Sequence, residues 1–356
     1  MSKQKRPERK LSDAVAEQSE FHTSAERDVT LSKLTAQLST LRTRHANAVA
    51  EIEKLEAQLA AFTQLGDAPL APKRPRKTKI HKSTGLAACV VLNDWHCGET
   101  IDPGSIEYDN AHNEHIFAQR CDNACAKAEL LYNLLLGFGK VDEIHVLVLG
   151  DLMSNYLHEE LMETNWCGPT EEMLEIRSRL AGFIDRFQET TGVTNFHVHT
   201  CHGNHGRLTR RRRFKAQNKT NLEWQVYEDL ARRYAEAKSP VQWNVSKTNF
   251  NRASVKGWLV RMHHGDDIRF EGGIGGLSIP LIKAVKQWDQ NKRADYTVLG
   301  HWHQFLRLWN IVVCGCQCGY DEYAQGHKFA AQPPTQTFLA FDDKMGLILA
   351  EPLFVE

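Results

Sequence analysis

Nowhere in the 356 residues do eighteen uncharged apolar side chains follow one another, so no segment is suited to cross a membrane as a helix. The chain opens MSKQKRPERK and continues polar, without the apolar core of a secretory signal. Charge of one sign is not in excess. The 44 Lys plus Arg balance 44 Asp plus Glu, so any preference for nucleic acid must come from local clusters. Paired zinc-finger spacing is missing among the nine cysteines, and an odd count in so long a chain does not suit a disulfide framework. No repeat of solenoid period occurs. The expectation is a soluble, unsecreted protein of a reducing cytoplasm, with no membrane partner. Its 42% apolar content suffices for one sizeable core with an appendage.

Four segments follow from composition. Residues 1–28 are polar and poor in large apolar side chains, and are expected to be disordered. Over 29–65 the positions Leu31, Leu34, Leu38, Leu41, His45, Ala48, Ile52, Leu55, Leu59 and Phe62 alternate by three and four, with no Gly or Pro between them. That is a heptad seam, and it predicts a coiled-coil helix. A lone helix would leave the stripe wet. A homo-oligomer through 31–62 is the expected partner, with packing back onto the body as the alternative. Residues 66–84 hold Pro69, Pro72 and Pro75 among Lys and Arg, a basic, extended linker.

From 85 to 356 short apolar runs alternate with helical patterns. Strands are expected at 87–93, 144–150, 194–200, 258–263 and 295–299, with helices near 119–137, 171–189, 221–236 and 277–290. This is an α/β layout. Two later β-rich stretches, 304–316 and 335–354, predict a second sheet packed on the first.

Each of the five strands runs into metal-capable groups. LAACVVLN leads to Asp94 and His96, HVLVLG to Asp151, FHVHTCHG to Asn204 and His205, LVRMH to His264, and YTVLG to His301 and His303. Carboxyl ends of strands in an open α/β sheet share one edge, where ligands bind, so these residues should converge. Taken singly, each pair is more often an exposed strand end or a turn. Five together describe a site. Carboxylates can bridge hard cations, imidazoles suit zinc, iron and manganese, and an Asn carbonyl adds a ligand without charge. Two cations about 4 Å apart activate a water and stabilise both oxygens of an in-line displacement at phosphorus.

Asp94-Trp95-His96, Gly150-Asp151, Gly203-Asn204-His205, His264-Gly265 and Gly300-His301-Trp302-His303 resemble the five ordered blocks of calcineurin-like metallophosphoesterases, a superfamily that includes the Mre11 and SbcD nucleases. The resemblance spans residues 87 to 303. It implies a four-layer αββα sandwich. It also implies that Asp94, His96, Asp151 and His303 hold one ion, and that Asp151, Asn204, His264 and His301 hold the other. His205 resembles the histidine that orients phosphate and protonates the leaving oxygen, a task suited to imidazole near neutral pH. Manganese is the first expectation for both ions, with iron and zinc as alternatives.

Substrate is signalled by departures from relatives and by one basic run. The Gly-Asp-x-x-Asp-Arg-Gly and Gly-Asn-His-Glu forms of protein phosphatases are replaced by Gly150-Asp151-Leu152-Met153-Ser154-Asn155 and Gly203-Asn204-His205-Gly206-Arg207, which argues against protein phosphatase activity. The fourth block lacks the usual second histidine; Asp266 follows Gly265. Arg207, Arg210, Arg211, Arg212 and Arg213 cluster after His205 and can clamp phosphates, although such a run is also compatible with a solvated surface. His202-Gly203-Asn204-His205-Gly206-Arg207 and Gly319-Tyr320-Asp321-Glu322-Tyr323-Ala324 resemble phage-encoded members of the DNA-repair-exonuclease-like kind, which implies a bacterial or phage-infected host cytosol. A two-metal phosphodiesterase acting on nucleic acid is expected. A phosphomonoesterase or cyclic-nucleotide phosphodiesterase is the alternative, and a non-catalytic coiled-coil scaffold or particle protein the second.

Other residues carry weaker signals. Cys314, Cys316 and Cys318 would share one strand face and are expected as buried thiols. Trp95 and Trp302 are expected either to stack bases or to wall a cleft. Gly272, Gly273, Gly275 and Gly276 suggest either a mobile loop or a tight turn before a helix.

Overall fold

The computed structural model describes residues 24–66, 85–269 and 276–356. The expected disordered segment 1–28 and basic linker 66–84 lie almost wholly outside these residues, as do Gly272, Gly273 and Gly275. Two units are distinguished, with a division after His81.

In the first unit, α1 (Ser24–Gly66) is one helix of 43 residues. No Gly or Pro interrupts it before its last residue, and its apolar stripe is exposed from Leu31 to Leu59.

The second unit holds β1 (Leu86–Leu92), α2 (Glu114–Leu136), β2 (Val141–Val148), α3 (Leu161–Thr164), α4 (Pro169–Thr191), β3 (Phe196–Thr200) and α5 (Leu222–Glu236). There follow β4 (Val241–Val245), β5 (Phe250–Val255), β6 (Trp258–His263), α6 (Ser278–Asn291), β7 (Tyr296–Leu299), β8 (Leu306–Leu308), β9 (Ile311–Val313), α7 (Glu322–Gly326), β10 (Thr335–Asp342) and β11 (Gly346–Phe354). Helix starts are set by local chemistry. The Asn113 side chain accepts the Ile116 N–H at α2, and Asn221 accepts the Trp224 N–H at α5. Pro169 opens α4, where its missing donor costs nothing, and Gly192 closes it with φ 62°.

The strands form a six-stranded sheet in the order β11-β10-β1-β2-β3-β4 and a five-stranded sheet in the order β5-β6-β7-β9-β8. β1 to β4 run parallel, and the β10–β11 hairpin adds antiparallel to β1. Alternation along β1 explains its fully buried pattern. Ala88, Val90 and Leu92 pack with Phe117 of α2, Leu180 of α4 and Tyr227 of α5. Ala87, Cys89 and Val91 face the other way and pack with Val260, Met262 and Val298 of the second sheet. Leu281 and Val285 of α6 cover the far face of that sheet, over Leu299, Ile311 and Val313. The layers are therefore helices, sheet, sheet, helix, as the sequence resemblance implied.

Three expectations need correction. The five motif strands do not share one sheet edge: β1, β2 and β3 belong to the first sheet, β6 and β7 to the second. The 335–354 hairpin joins the first sheet, while only the 306–313 hairpin joins the second. β4 and β5, short strands at sheet edges, were absent from the sequence reading, although VQWNV alternates apolar and polar residues as a half-covered strand does.

Candidate metal centre

The ends of strands from both sheets meet. Beyond β1 and β2 the chains stay paired, since the Asp94 N–H donates to Gly150 O (3.0 Å) and the His96 N–H to Asp151 O (3.1 Å). In the second sheet the Gly300 N–H donates to His264 O (2.8 Å). Asp94, His96, Asp151, His301 and His303 all have left-handed backbone, with φ between 46° and 74°. Such angles are unfavourable for residues with a Cβ and turn side chains in directions a regular strand does not offer. Gly150 is required by proximity as well as by its φ of 93°: a Cβ there would lie 2.2 Å from the Gly203 nitrogen. The second and third blocks thus touch backbone to backbone.

All seven expected ligands are brought to one region as two groups that overlap at Asp151. In the first, His96 Nε2 and His303 Nε2 lie 3.2 Å apart, and Asp94 Oδ1 is 4.0 Å and 3.7 Å from them. Asp94 Oδ2 is occupied by the His301 N–H (2.9 Å) and the Asn93 amide, whereas buried Asp94 Oδ1 has no hydrogen-bond partner. In the second, the donor atoms of Asp151, His264 and His301 lie within 4.8 Å of one another. His264 Nε2 sits 2.8 Å from Asp151 Oδ2 and 3.1 Å from Asn204 Oδ1. Asp151 also groups within 4.8 Å of His96 and His205. An orphaned carboxylate oxygen, facing imidazoles and a shared aspartate fit divalent cations well.

Electrostatics agree with that fit. Burial, then His205 and His303, holds His96 well below the usual histidine range, which keeps it neutral as a ligand must be. Burial pushes Asp94 up against the pull of His264 and His303. Burial opposes charge on both members of the Asp151–His264 pair, but their mutual attraction wins, holding Asp151 well below the carboxylate range and raising His264 to about 10. A cation between them would take the place of that imidazole proton.

Second contacts fix the rings. A carbonyl can only accept, so His264 Nδ1–H donates to Leu149 O (2.9 Å), leaving Nε2 for the site. His205 Nδ1–H likewise donates to Ser154 O (2.7 Å), and its backbone N–H to Asp151 Oδ1 (2.7 Å). With Nδ1 so engaged, Nε2 is the ring nitrogen left for the site. Glu99 Oε2 stands 3.2 Å from His96 Nδ1, and Asp321 Oδ2 3.7 Å from His303 Nδ1. Carboxylates in this position orient ligand imidazoles.

Several supporting residues escaped the sequence reading. Glu223, fully buried in the first turn of α5, accepts the N–H groups of Leu152 (2.6 Å) and Gly203 (2.8 Å), tying the second block to the third. Burial and the nearby Asp151 push its carboxyl up to about 7. Glu172 accepts the Asn155 N–H (2.8 Å), and Asn155 donates to the His205 (2.7 Å) and Arg207 (3.1 Å) carbonyls. Asp321 had a sequence signal, the Gly319–Ala324 motif. Glu99, three residues after His96, had only its spacing.

The centre opens into a cavity of about 260 Å³ lined by His96, Asp151, Asn204, His205, His301 and His303, with His158 and Tyr323 at its wall. The arginine run divides. Arg207, Arg212 and Arg213 line a smaller pocket beside Asn204, while Arg210 and Arg211 are exposed. Arg212 is engaged by Asp266 (3.1 Å) and Asp267 (3.8 Å), so Asp266 faces an arginine and belongs to neither ligand group. Trp95 and Trp302 are 1% and 6% exposed and wall the site from within; neither can stack a base. Cys314, Cys316 and Cys318 lie after β9, not on a shared strand face. Cys314 packs between the sheets, and the other two pack with Ile101 and Ile106. Burial raises the Cys316 thiol, but Cys318 and His303 outweigh it and bring it to about 7.

No protein-family model matches the chain, and no curated protein matches it. Among solved structures it is similar to Vps29 of Entamoeba histolytica complexed with zinc (11% identity, 76% of this chain and 99% of that one, TM-score 0.29). It is also similar to a predicted phosphoesterase of Streptococcus pneumoniae (10%, 76% and 98%, TM-score 0.29). A third is the sulfate thiohydrolase SoxB of Thermus thermophilus (11%, 76% and 57%, TM-score 0.29). These likenesses are loose, and the chemistry of the site stands on its own side chains. Two facing mixed sheets lie between helices, with Asp and His at strand ends drawn from both sheets and Asn204 after β3 of the first.

Proposed function

We propose that this chain is a two-metal-dependent phosphoesterase, and that its substrates are phosphodiesters of nucleic acid. The observation that carries the reading is the pair of ligand groups sharing Asp151, with His205 anchored through Nδ1 beside them. When bound, two divalent ions would supply an activated water and neutralise charge on the phosphate. The chain's own part is to hold the ions at fixed spacing and to present His205 Nε2 to the leaving oxygen, which departs poorly without a proton. Burial keeps His205 below the usual histidine range; an anionic phosphate at the site would act in the opposite direction and favour its protonated, donating form.

Support for a polymeric substrate comes from Arg207 and Arg213 in the pocket beside Asn204, where Arg212 is paired with Asp266, and from the exposed Arg210 and Arg211 next to it. Together they mark a basic path leading from the ions. Manganese is the proposed catalytic ion, because the oxygen and nitrogen donors of the shared site accommodate it. We further propose that α1 pairs with a second copy through its exposed leucine stripe.

Purified protein loaded with manganese, iron or zinc, and offered single-stranded DNA, duplex DNA and a chromogenic phosphodiester, tests the reading. Cleavage of DNA that is lost on Arg210→Gln/Arg211→Gln, with small-ester turnover retained, is the expected result. Equal retention on both substrates points to a small phosphate ester instead. No hydrolysis with any metal refutes the enzyme.

A further inference from the structure

On the Nδ1 side of His96 and His303 lies a group of metal-capable side chains that two catalytic ions leave unused. Glu99 and Asp321 approach those imidazoles at 3.2 Å and 3.7 Å, and both line the cavity. Behind them Cys316 Sγ and Cys318 Sγ lie 3.0 Å apart as free thiols. Donor atoms of Glu99, Cys318 and Asp321 fall within 4.8 Å of one another, as do those of His96, His303, Cys316 and Cys318.

Two carboxyls and two thiols in this space need either protons or a cation, because unpaired buried anions are costly. Arg120 is near, but it is spent on the Gln317 (3.2 Å) and Cys318 (2.9 Å) carbonyls and on Asn110 (2.8 Å). The Nδ1 atoms of His96 and His303 are buried without a hydrogen bond, and the His96 side chain is 3% exposed. Each faces a carboxylate of this group, Glu99 at 3.2 Å and Asp321 at 3.7 Å. A tetrahedral zinc with Zn–S near 2.3 Å separates its donors by roughly 3–4 Å; the Glu99, Cys318 and Asp321 donors, within 4.8 Å of one another, need only a small contraction to reach it, whereas the two sulfurs at 3.0 Å would have to part. Thiolates beside carboxylates suit zinc and not the harder manganese.

We propose that Glu99, Cys318 and Asp321, with Cys316 beside Cys318, form a third ion position, taken by zinc and adjoining the catalytic pair. It braces His96 and His303 from behind, so that a soft-ligand structural ion sets the geometry of two ligands to the harder ions. The position is independent of which ester the enzyme cleaves.

Cobalt(II) titration of the metal-stripped full chain provides the test, since cobalt bound to thiolate shows a sulfur-to-metal charge-transfer band in the near ultraviolet. The expected result is three equivalents per chain with that band present. Cys316→Ser/Cys318→Ser should lose the band and one equivalent, with Cys318→Ala as a milder second variant should the double one misfold. Asp151→Asn should keep the band. Uptake that stops at two equivalents without a sulfur band overturns the third position while leaving the catalytic pair intact. A band that saturates within two equivalents overturns it too, making the cysteines ligands of the pair. No cobalt uptake at all refutes both readings.

Discussion

Glu223 offers the sharpest test of how the centre is held. Its carboxylate accepts the N–H of Leu152, next to Asp151, and the N–H of Gly203, next to Asn204. Glu223→Ala leaves two buried donors without partners. Each orphaned donor costs about 1–3 kcal/mol, so a loss of roughly 4 kcal/mol is expected. For a domain of this size that lowers the melting temperature by roughly 10 °C. The ligand blocks also lose the clamp that sets their separation, and outer contacts of this kind are worth about 10–100-fold in metal affinity. Glu223→Gln keeps one acceptor and should fall between. Thermal unfolding of metal-free protein and calorimetric metal titration read the two effects separately. An alanine variant within about 1 kcal/mol of the parent, with unchanged affinity, would refute the clamp.

Three further outcomes are expected. His205→Asn should lower kcat by about 10²–10⁴-fold while metal stoichiometry stays the same; a lost equivalent would make His205 a ligand. Glu172, raised by burial from 4.5 to about 8, binds its proton more tightly in the folded state. Its contribution to stability is therefore full below pH 4.5 and is lost as pH rises to about 8. In urea unfolding the Glu172→Gln variant, which cannot ionise, should lack that decline, and parallel pH profiles would remove Glu172 as its source. Leu38→Asp/Leu41→Asp should convert an oligomer to a monomer in sedimentation equilibrium, and a parent chain that is already monomeric rules out pairing through α1.

Much of the centre was legible because apolar strand runs stop at residues that chemistry, not packing, requires. Asp94, Asp151, Asn204 and His264 each follow such a run, and the structure collects them. What was not legible was partition between sheets, since a run of apolar residues carries no mark of which sheet it enters. Glu172 and Glu223 escaped for a different reason. Acidic residues near helix starts are ordinarily placed there by the helix dipole, so nothing distinguishes the two that are buried against the backbone of Leu152, Asn155 and Gly203. Trp95 and Trp302 were ambiguous until their burial was known. β4 alternates in VQWNV, but over five and six residues β4 and β5 give a pattern too short to stand out beside the continuous apolar runs.

The left-handed backbone at His96, His301 and His303 has a consequence for how this sequence persists. Histidine gains nothing from φ near 46°, 74° and 52°, and each such residue costs about 1–2 kcal/mol against glycine's freedom. Selection for folding alone would drift these three positions toward glycine or asparagine and yield a tougher protein with no ions. The histidines stand at positions where thermodynamics argues for their removal, so their presence is a record of function rather than of folding.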